Sequence, residues 1–245
     1  MKKTLKLAAL ALLTTGLFSA CGEDFDLAGT AWSGHVAYTD EADGDISLAY
    51  TMVFNTAASG MLFINAERGD LESVCIAAPF GYSWDGGEGT ATVQNPDPEQ
   101  SDTPFLTPIN WSKTTGLLAD FLQMEQALDL PGRPVGWEQV SYATPDAMEG
   151  TVWTSSLAEG VGEWYVNYDY ELRFLSATTA LISLDRGSES MRWNVDYSYD
   201  RGVGTATIFA DGETAHGGFY MPDEDHMLFC YGEAALRLTR QPAAR

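Results

Sequence analysis

Basic residues are scarce in this chain. Its 13 lysines and arginines stand against 35 aspartates and glutamates, which gives a formal net charge of −22. Three of the four lysines lie within residues 1–20, so the remainder keeps only Lys113 and carries a net charge of −25. Nucleic acids and anionic membrane surfaces are bound through basic patches. The charge therefore argues against a nucleic-acid partner and favours cations or a basic protein.

Motifs of enzyme active sites and cofactor sites are also missing. The three histidines, His35, His216 and His226, lie far apart and belong to no HExxH motif. The GxSxG, GxGxxG and P-loop patterns do not occur, and no Cys/His spacing suggests zinc. We therefore expect no catalytic residue, no metal site and no cofactor, and we predict that the chain is not an enzyme.

Two short acidic segments come nearest to a metal site. Residues 40–45 hold four carboxylates and residues 222–225 hold three. Oxygen ligands suit calcium, but neither segment has the twelve-residue EF-hand pattern with its closing glutamate. We interpret both as solvated hairpin loops.

Long apolar runs are absent as well. A membrane helix needs roughly 20 apolar residues, and no stretch of the sequence is that long. The nearest is at the N-terminus, where three lysines precede the apolar stretches 7–13 and 17–20, and small residues stand just before Cys21. This order is typical of a secretory signal peptide. We predict a signal peptide over residues 1–20 and no membrane helix after it.

The segment Phe18-Ser19-Ala20-Cys21 resembles the bacterial lipobox. The resemblance implies cleavage before Cys21, acylation of its thiol, and residues 21–27 as a short tether to a membrane. Position 22 is not aspartate, so the signal that retains enteric lipoproteins in the inner membrane is absent. The expected location is therefore the outer membrane, on its periplasmic or cell-surface face. The alternative is an ordinary signal peptide whose cleavage region contains a cysteine.

Cysteine is also rare: besides Cys21 the chain has only Cys75 and Cys230. Outside the cytoplasm a disulfide between them is permitted, and it would join the two halves of the chain. Two buried free thiols are an equal alternative, since free cysteine packs as a small hydrophobe.

The sequence contains an internal repeat. Its three ordered matches have offsets of 121, 120 and 115 residues, and they pair residues 29–32 with 150–153, Phe54 with Phe174, and 82–93 with 197–208. We interpret them as a duplication, with a first β domain over 28–143 and a second over 149–241. One larger barrel built from two halves is the alternative.

Residues 46–54 alternate in hydrophobicity with a period of two, which is typical of strands with one buried face. Each repeat opens with Gly-Thr-x-Trp, has an aromatic strand that returns through Gly-Thr-Ala-Thr, and the second ends in Thr-Arg. This order resembles lipocalin-like domains of secreted bacterial lipoproteins. The resemblance implies an all-β fold of two tandem small antiparallel barrels or meanders. The spacing of apolar residues also predicts one short helix over 117–128 in the first unit.

Four aromatic residues are candidates for either core packing or ligand contact: Trp32, Trp153, Trp84 and Tyr199. The lipocalin resemblance implies that the opening tryptophans Trp32 and Trp153 pack across the base of a barrel. Core packing is the favoured interpretation, because buried aromatics dominate core energetics.

These observations favour a lipid-anchored binding or interaction protein of the bacterial envelope. One hypothesis is a barrel that holds a small apolar or amphipathic ligand, and an open apolar cavity inside a barrel would favour it. The other is a partner-binding scaffold whose acidic surface meets a basic protein, and an enzyme or a protease inhibitor is a second alternative. Eight-stranded barrels of this size are often filled by their own side chains, which would favour the scaffold.

Overall fold

The chain forms only β-strands and loops in the part that the structure describes. This structure, a computed structural model, describes residues 26–40, 44–68, 74–85, 88–95, 109–112, 137–161, 164–210, 212–232 and 234–242. The expected all-β class is confirmed for these residues. The predicted signal peptide, Cys21 and the predicted helix over 117–128 lie outside them. Within these ranges no helix is long and apolar enough to cross a bilayer.

The second half of the chain closes into an eight-stranded antiparallel barrel. Each strand pairs with the next along the chain, and closure comes from the first and last strands, where Arg240 pairs with Trp153 and Thr239 with Thr154. The barrel strands are β8 (Val152–Val161), β9 (Trp164–Phe174), β10 (Thr179–Arg186), β11 (Glu189–Asp200), β12 (Val203–Ala210), β13 (Glu213–Tyr220), β14 (His226–Tyr231) and β15 (Ala234–Arg240).

The described residues of the first half form seven further antiparallel strands: β1 (Thr30–Asp40), β2 (Gly44–Phe54), β3 (Ser59–Arg68), β4 (Val74–Trp84), β5 (Glu88–Val93), β6 (Ile109–Ser112) and β7 (Trp137–Val140). Their spatial order is β7-β1-β2-β3-β4-β5-β6. One pair, Val74 with Ala234, joins this sheet to the barrel. Across the described residues of this half, β6 and β7 do not pair with each other, so a second closed barrel is not seen there.

The barrel interior is occupied by the barrel's own side chains. Alternate residues along its strands point inward and are almost fully buried, which is the burial that a period of two predicts. The largest of them are Trp153, Phe174, Phe219 and Phe229, each at most 1% exposed. The first-half sheet has an equivalent apolar face, on which Phe54 packs edge-on against Phe80 and Tyr82.

A third apolar cluster lies between the outer face of the first-half sheet and the outer wall of the barrel. The sheet contributes Met61, Phe63 and Ala77, and the barrel contributes Val203 and Cys230. Strand β3 is therefore buried on both faces, and every residue of 61–65 is buried. The two halves consequently pack as a pair of stacked sheets with apolar side chains between them.

Close packing of the two sheets depends on a glycine in β13. A Cβ atom added at Gly218 would lie 2.9 Å from the carbonyl oxygen of Gly204 in the barrel, 3.1 Å from Cβ of Ala77 and 3.4 Å from Cε of Met61. A larger residue would therefore crowd the barrel backbone at Gly204 as well as the facing side chains of the sheet. Gly218 is required here by space and not by backbone conformation.

The two halves repeat the same contacts at the start of their first strands. Gly29 and Gly150 have φ angles of 77° and 79°. The hydroxyl of the following threonine, Thr30 or Thr151, donates to a carbonyl three residues earlier at 2.6 Å in both halves. The same hydroxyl oxygen accepts a hydrogen bond from the nearby indole, at 3.1 Å in the first half and 2.9 Å in the second. The Gly-Thr-x-Trp segments thus have one conformation and one bonding pattern.

Candidate functional site

The site of most interest lies outside the barrel, where the two sheets meet. A cavity of about 320 Å³ opens there, and we name it the inter-sheet cleft. One wall is the outer face of β1, β2 and β3, and the other is the outer wall of the barrel at β13, β14 and β15. The third apolar cluster closes one side of it, because Phe63, Tyr220 and Leu228 belong to both.

The first-half wall of the cleft is mixed in polarity. Strand pairing places Ser33 opposite Thr51 and Thr51 opposite Phe63, so these three residues form a row across β1, β2 and β3. Ala49 and Asn65 form a second pair on the same wall. Residues two apart on a strand share one face, which explains why positions 49 and 51 line the same cavity.

The barrel wall has a matching row. Tyr220 pairs with Leu228 and Leu228 pairs with Arg237, across β13, β14 and β15. The next pair on the same face of β14 and β15 is His226 with Thr239, and both of these residues also line the cleft. One arginine and one histidine are the ionisable side chains of this wall apart from the phenol of Tyr220.

Tyr220 connects the two walls. Its hydroxyl lies 3.4 Å from Oγ1 of Thr51, and its ring centroid lies 4.7 Å from that of Phe63. Burial raises the pKa of the Tyr220 phenol, against smaller opposing effects of the Thr51 hydrogen bond and the positive charge of Arg237. Either hydroxyl of the Tyr220–Thr51 pair can be the donor of this contact.

His226 stands at the mouth of the cleft and contacts the acidic turn 222–225. Its Nδ1 lies 2.9 Å from both carboxylate oxygens of Asp223. The pKa of Asp223 is lowered, first by the backbone N–H of Asp225 and then by His226. The Asp223 carboxylate thus accepts hydrogen bonds from the backbone N–H groups of Asp225 and His226 in the same turn. Among the described residues no cluster of three or more metal-ligating side chains occurs.

The cleft differs in charge from the rest of the protein. Arg237 and His226 line it, and no aspartate or glutamate is among the described residues that do so. The whole chain has 35 acidic residues and 13 basic ones. The carboxylate of Asp223 lies 2.9 Å from Nδ1 of His226, so an acidic side chain stands directly beside this lining.

A second cavity, of about 570 Å³, lies beside the segment that joins the two halves. Its lining includes Tyr142, Pro145 and Arg240, together with Asp223 and Glu224. The Tyr199 hydroxyl donates to the carbonyl of Pro145 at 2.7 Å, so this connecting segment is tied to the barrel. Its lining carries charges of both signs.

The four aromatic candidates take packing positions. Trp153 is 1% exposed inside the barrel, and Tyr199 lies parallel to the Phe219 ring with centroids 6.2 Å apart. Trp32 and Trp84 are partly buried against the core of the first half. None of the four is among the residues that line either cavity described above.

Cys75 and Cys230 form a disulfide, with Cα atoms 5.3 Å apart. Both residues are completely buried and belong to the cluster between the sheets. The bond therefore connects β4 of the first half to β14 of the second across the interface. Of the sequence candidates, Cys21 lies outside the described residues.

Sequence reasoning missed the residues that line the cleft. Thr51, Phe63, Tyr220 and Arg237 are ordinary strand residues in no motif, and the cavity appears only when the two sheets stack. One signal was available, namely the unbroken apolar run 61–64. A strand that is apolar on both faces is covered on both faces, so this run marks the surface on which another layer packs.

Comparison with known proteins adds no assignment. No protein-family model matches the chain, and no characterised protein shows significant similarity to it.

Proposed function

We propose that this protein is a lipid-anchored binding protein of the bacterial cell envelope, without enzymatic activity, whose ligand site is the inter-sheet cleft. The proposal rests on where the described part of the molecule has room for a ligand. The barrel interior is occupied by Trp153, Phe174, Phe219 and Phe229, whereas the cleft outside the barrel has room and polar groups. Pockets with an apolar lining and a few convergent polar groups are the usual ligand sites.

The proposed location, anchored in the outer membrane, rests on the N-terminal sequence. A signal peptide over 1–20 would direct export, and acylation of Cys21 would anchor the chain in the outer membrane. More than one acyl chain is needed for stable anchoring, and lipobox cysteines receive two on the thiol. The tether 21–27 is short, so the first β domain would lie near the membrane surface.

The two β domains, over residues 28–143 and 149–241, are proposed to have arisen by duplication of one ancestral domain. The repeated Gly-Thr-x-Trp contacts support it, and so does a second set of matching bonds. Tyr82 donates to the carbonyl of Thr56 at 2.7 Å, and Tyr197 donates to that of Ser176 at 2.6 Å. Under this proposal the two halves diverged on their outer faces, and the cleft formed where those faces meet.

A second candidate function is a scaffold that binds a basic protein. It is favoured by the net charge of −25 that remains without residues 1–20 and by the filled barrel. Such an interaction would weaken steeply with salt, since exposed charges are screened beyond about 8–10 Å at physiological ionic strength. The cleft is not needed for this function.

The lipid anchor is tested by metabolic labelling. Cells that express the full chain are grown with an alkyne analogue of palmitate, and the label on the protein is measured. We expect label on the wild-type protein and none on Cys21→Ser, with Cys75→Ser as a matched cysteine control that remains labelled. Label that persists in Cys21→Ser would refute acylation at this residue.

The binding function is tested separately, by native mass spectrometry of the purified chain. A retained small molecule that is lost on unfolding would support the ligand-binding proposal. A ligand-free protein that captures a basic protein at low salt, and releases it at high salt, would favour the scaffold.

A further inference from the structure

The second cavity lies at the end of the barrel where Trp153 and Arg240 pair. Residues two apart on a strand share one face, and Leu236 and Leu238 of β15 are buried in the barrel core. Arg240 continues this face to the end of the strand. Its guanidinium lies over the Trp153 ring, with 5.8 Å between the guanidinium carbon and the ring centroid. This end of the barrel therefore presents a positive charge to the second cavity, which Arg240 lines.

The contact with the indole positions Arg240 and leaves its side-chain donors unused. The backbone N–H of Arg240 donates to the carbonyl of Asp225 at 2.8 Å. Its side chain is exposed and forms no ion pair or hydrogen bond with any of the described residues. A guanidinium presents several N–H donors in a planar fork that matches a carboxylate. Arg240 can therefore receive a carboxylate from outside the chain.

Another wall of the second cavity is acidic. Asp223 and Glu224 line it from the turn between β13 and β14. The Asp223 carboxylate is already bonded to His226 and to backbone N–H groups of the turn. Glu224 is exposed, and within the described ranges its side chain makes no hydrogen bond or ion pair. Arg240 and Glu224 thus face one cavity without pairing with each other, so the space between them suits a molecule that carries both charges.

The rest of the lining and the size of the cavity indicate what lies between those two charges. The connecting segment contributes the exposed hydroxyls of Ser141 and Thr144. Hydroxyls both donate and accept hydrogen bonds, so they match the N–H and C=O groups of a peptide. The volume of about 570 Å³ is within the usual range of ligand pockets, about 300–1,000 Å³. A peptide of two to four small residues fits this space.

We propose that the second cavity binds a short zwitterionic peptide, with its C-terminal carboxylate at Arg240 and its N-terminal ammonium at Glu224. This site goes beyond the function proposed for the inter-sheet cleft, with which it shares only Pro222 among the described lining residues. Capture of chain termini is a known mode of peptide recognition. Because Arg240 and Glu224 are fixed on the same end of the barrel, the site selects peptides by length. An internal stretch of a longer chain carries neither terminal charge and is rejected.

The test compares four probes of one sequence: trialanine, trialanine amide, N-acetyl-trialanine and N-acetyl-trialanine amide. They carry both terminal charges, the ammonium alone, the carboxylate alone and neither charge. Each is titrated by calorimetry into the full-length Cys21→Ser chain at about pH 6, where an α-amino group with a pKa of about 8 is charged. We expect saturable one-to-one binding of trialanine. Each blocked probe should bind about tenfold more weakly or worse, the factor that one charged hydrogen bond contributes.

Two variants assign the two charges. Arg240→Gln should weaken binding of trialanine about tenfold or more and bind trialanine amide like wild type, because the amide has no carboxylate to lose. Glu224→Gln should weaken trialanine to a similar extent and leave N-acetyl-trialanine unchanged. The matched controls are Arg192→Gln on β11 and Glu213→Gln on β13, exposed residues that line neither cavity. Both controls should bind trialanine like wild type.

The proposal is overturned if trialanine does not bind, if the doubly blocked probe binds as tightly, or if Glu224→Gln binds trialanine like wild type. Glu224 lies in an exposed turn, so this variant decides alone should Arg240→Gln not fold. A protein that retains a ligand in native mass spectrometry but binds no trialanine would refute the peptide site and leave the function of the inter-sheet cleft intact. Trialanine binding by a protein that retains no ligand would support the peptide site alone.

Discussion

The hydroxyl oxygens of Thr51 and Tyr220 lie 3.4 Å apart although 169 residues separate them in sequence. Thr51 is on β2 of the open sheet and Tyr220 is the last residue of β13 in the barrel. The Tyr220 ring also packs on Phe63. Tyr220 therefore lines the inter-sheet cleft and also joins the two sheets. A substitution that loosens the interface should for this reason also change the shape of the cleft.

We expect Tyr220→Phe to lower the free energy of unfolding by about 1 kcal/mol, the usual net value of one hydrogen bond. The ring contact with Phe63 is kept in this variant. Tyr220→Ala removes that contact too and should cost roughly 3–5 kcal/mol, as aromatic truncations do. Urea unfolding monitored by tryptophan fluorescence measures both. Equal losses in the two variants would contradict a packing role for the ring.

The disulfide should stabilise the chain strongly. It joins residues 155 apart in sequence, and loop-closure entropy assigns up to about 5 kcal/mol to a loop of this length. We expect the double variant Cys75→Ala/Cys230→Ala to unfold at much lower urea than wild type. A reducing agent present during unfolding should lower the wild-type midpoint to that of the variant and leave the variant unchanged.

Alkylation provides the control for this prediction. Wild-type protein denatured without reductant should expose no thiol from Cys75 or Cys230 to a maleimide, and two after reduction. Reactive thiols before reduction would show that the pair is not bridged in the purified protein.

The threonines of the two Gly-Thr-x-Trp segments offer a matched pair. Thr151→Val removes the acceptor of the Trp153 indole, which is buried in the barrel, and should cost about 1–3 kcal/mol. Thr30→Val makes the same change beside Trp32, which is only partly buried, so water compensates in part and the loss should be smaller. Thermal unfolding of the two variants measures the difference. A larger loss in Thr30→Val would contradict this dependence on burial.

Much of the fold could be predicted from the sequence, because local patterns determine it. Alternating hydrophobicity predicts strands, and the aromatic strand of the second repeat does return through Gly-Thr-Ala-Thr as β11 and β12, with Asp200 paired to Val203. The repeat also includes informative differences. Residues 61–64 are apolar without interruption, whereas the matching residues 181–184 have serine at position 183. The first segment is buried on both faces and the second on one.

The candidate site could not be predicted in this way, because stacking of two sheets creates it. Its walls come from residues 33–65 and 220–239, and no local pattern relates Thr51 to Tyr220 or Ser33 to Arg237. The pairing of β15 with β8, which closes the barrel, could not be predicted either, because its register depends on tertiary packing. Sequence identifies which faces are apolar but not which faces meet.

Two buried phenols should make the protein sensitive to alkali. Burial, assisted by the charge of Asp26, raises the pKa of Tyr82 to about 12. Burial is also the main cause for Tyr199, whose pKa is about 12 despite a hydrogen bond from Gly202. In the unfolded chain both phenols lose their protons near pH 10. Their contribution to stability is therefore complete below about pH 10 and is lost as the pH rises to about 12.

The double variant Tyr82→Phe/Tyr199→Phe tests this dependence. Its free energy of unfolding should fall less steeply with pH between about 10 and 12 than that of wild type. Titration of tyrosine absorbance should show two fewer late-titrating groups in the folded variant. A slope identical to that of wild type would mean that these phenols ionise at the same pH in both states.

Gly202 should be the most sensitive glycine of the barrel turns. Its φ is 86°, and with Arg201 at 48° it forms the turn between β11 and β12. A Cβ atom there would overlap the carbonyl oxygen of Ala143 and lie 2.7 Å from the ring of Tyr142. Gly202→Ala should therefore combine backbone strain of about 1–2 kcal/mol with overpacking of about 1–3 kcal/mol.

Gly187→Ala is the matched control, because Gly187 also has a positive φ, 59°, but nothing lies within 4 Å of its added Cβ. It should show the strain alone, so the gap between the two variants in urea unfolding measures the contact with the segment 142–143. That segment joins the two halves of the chain and lines the second cavity. If Gly202→Ala and Gly187→Ala lose the same stability, the connecting segment does not pack on the barrel turn in solution.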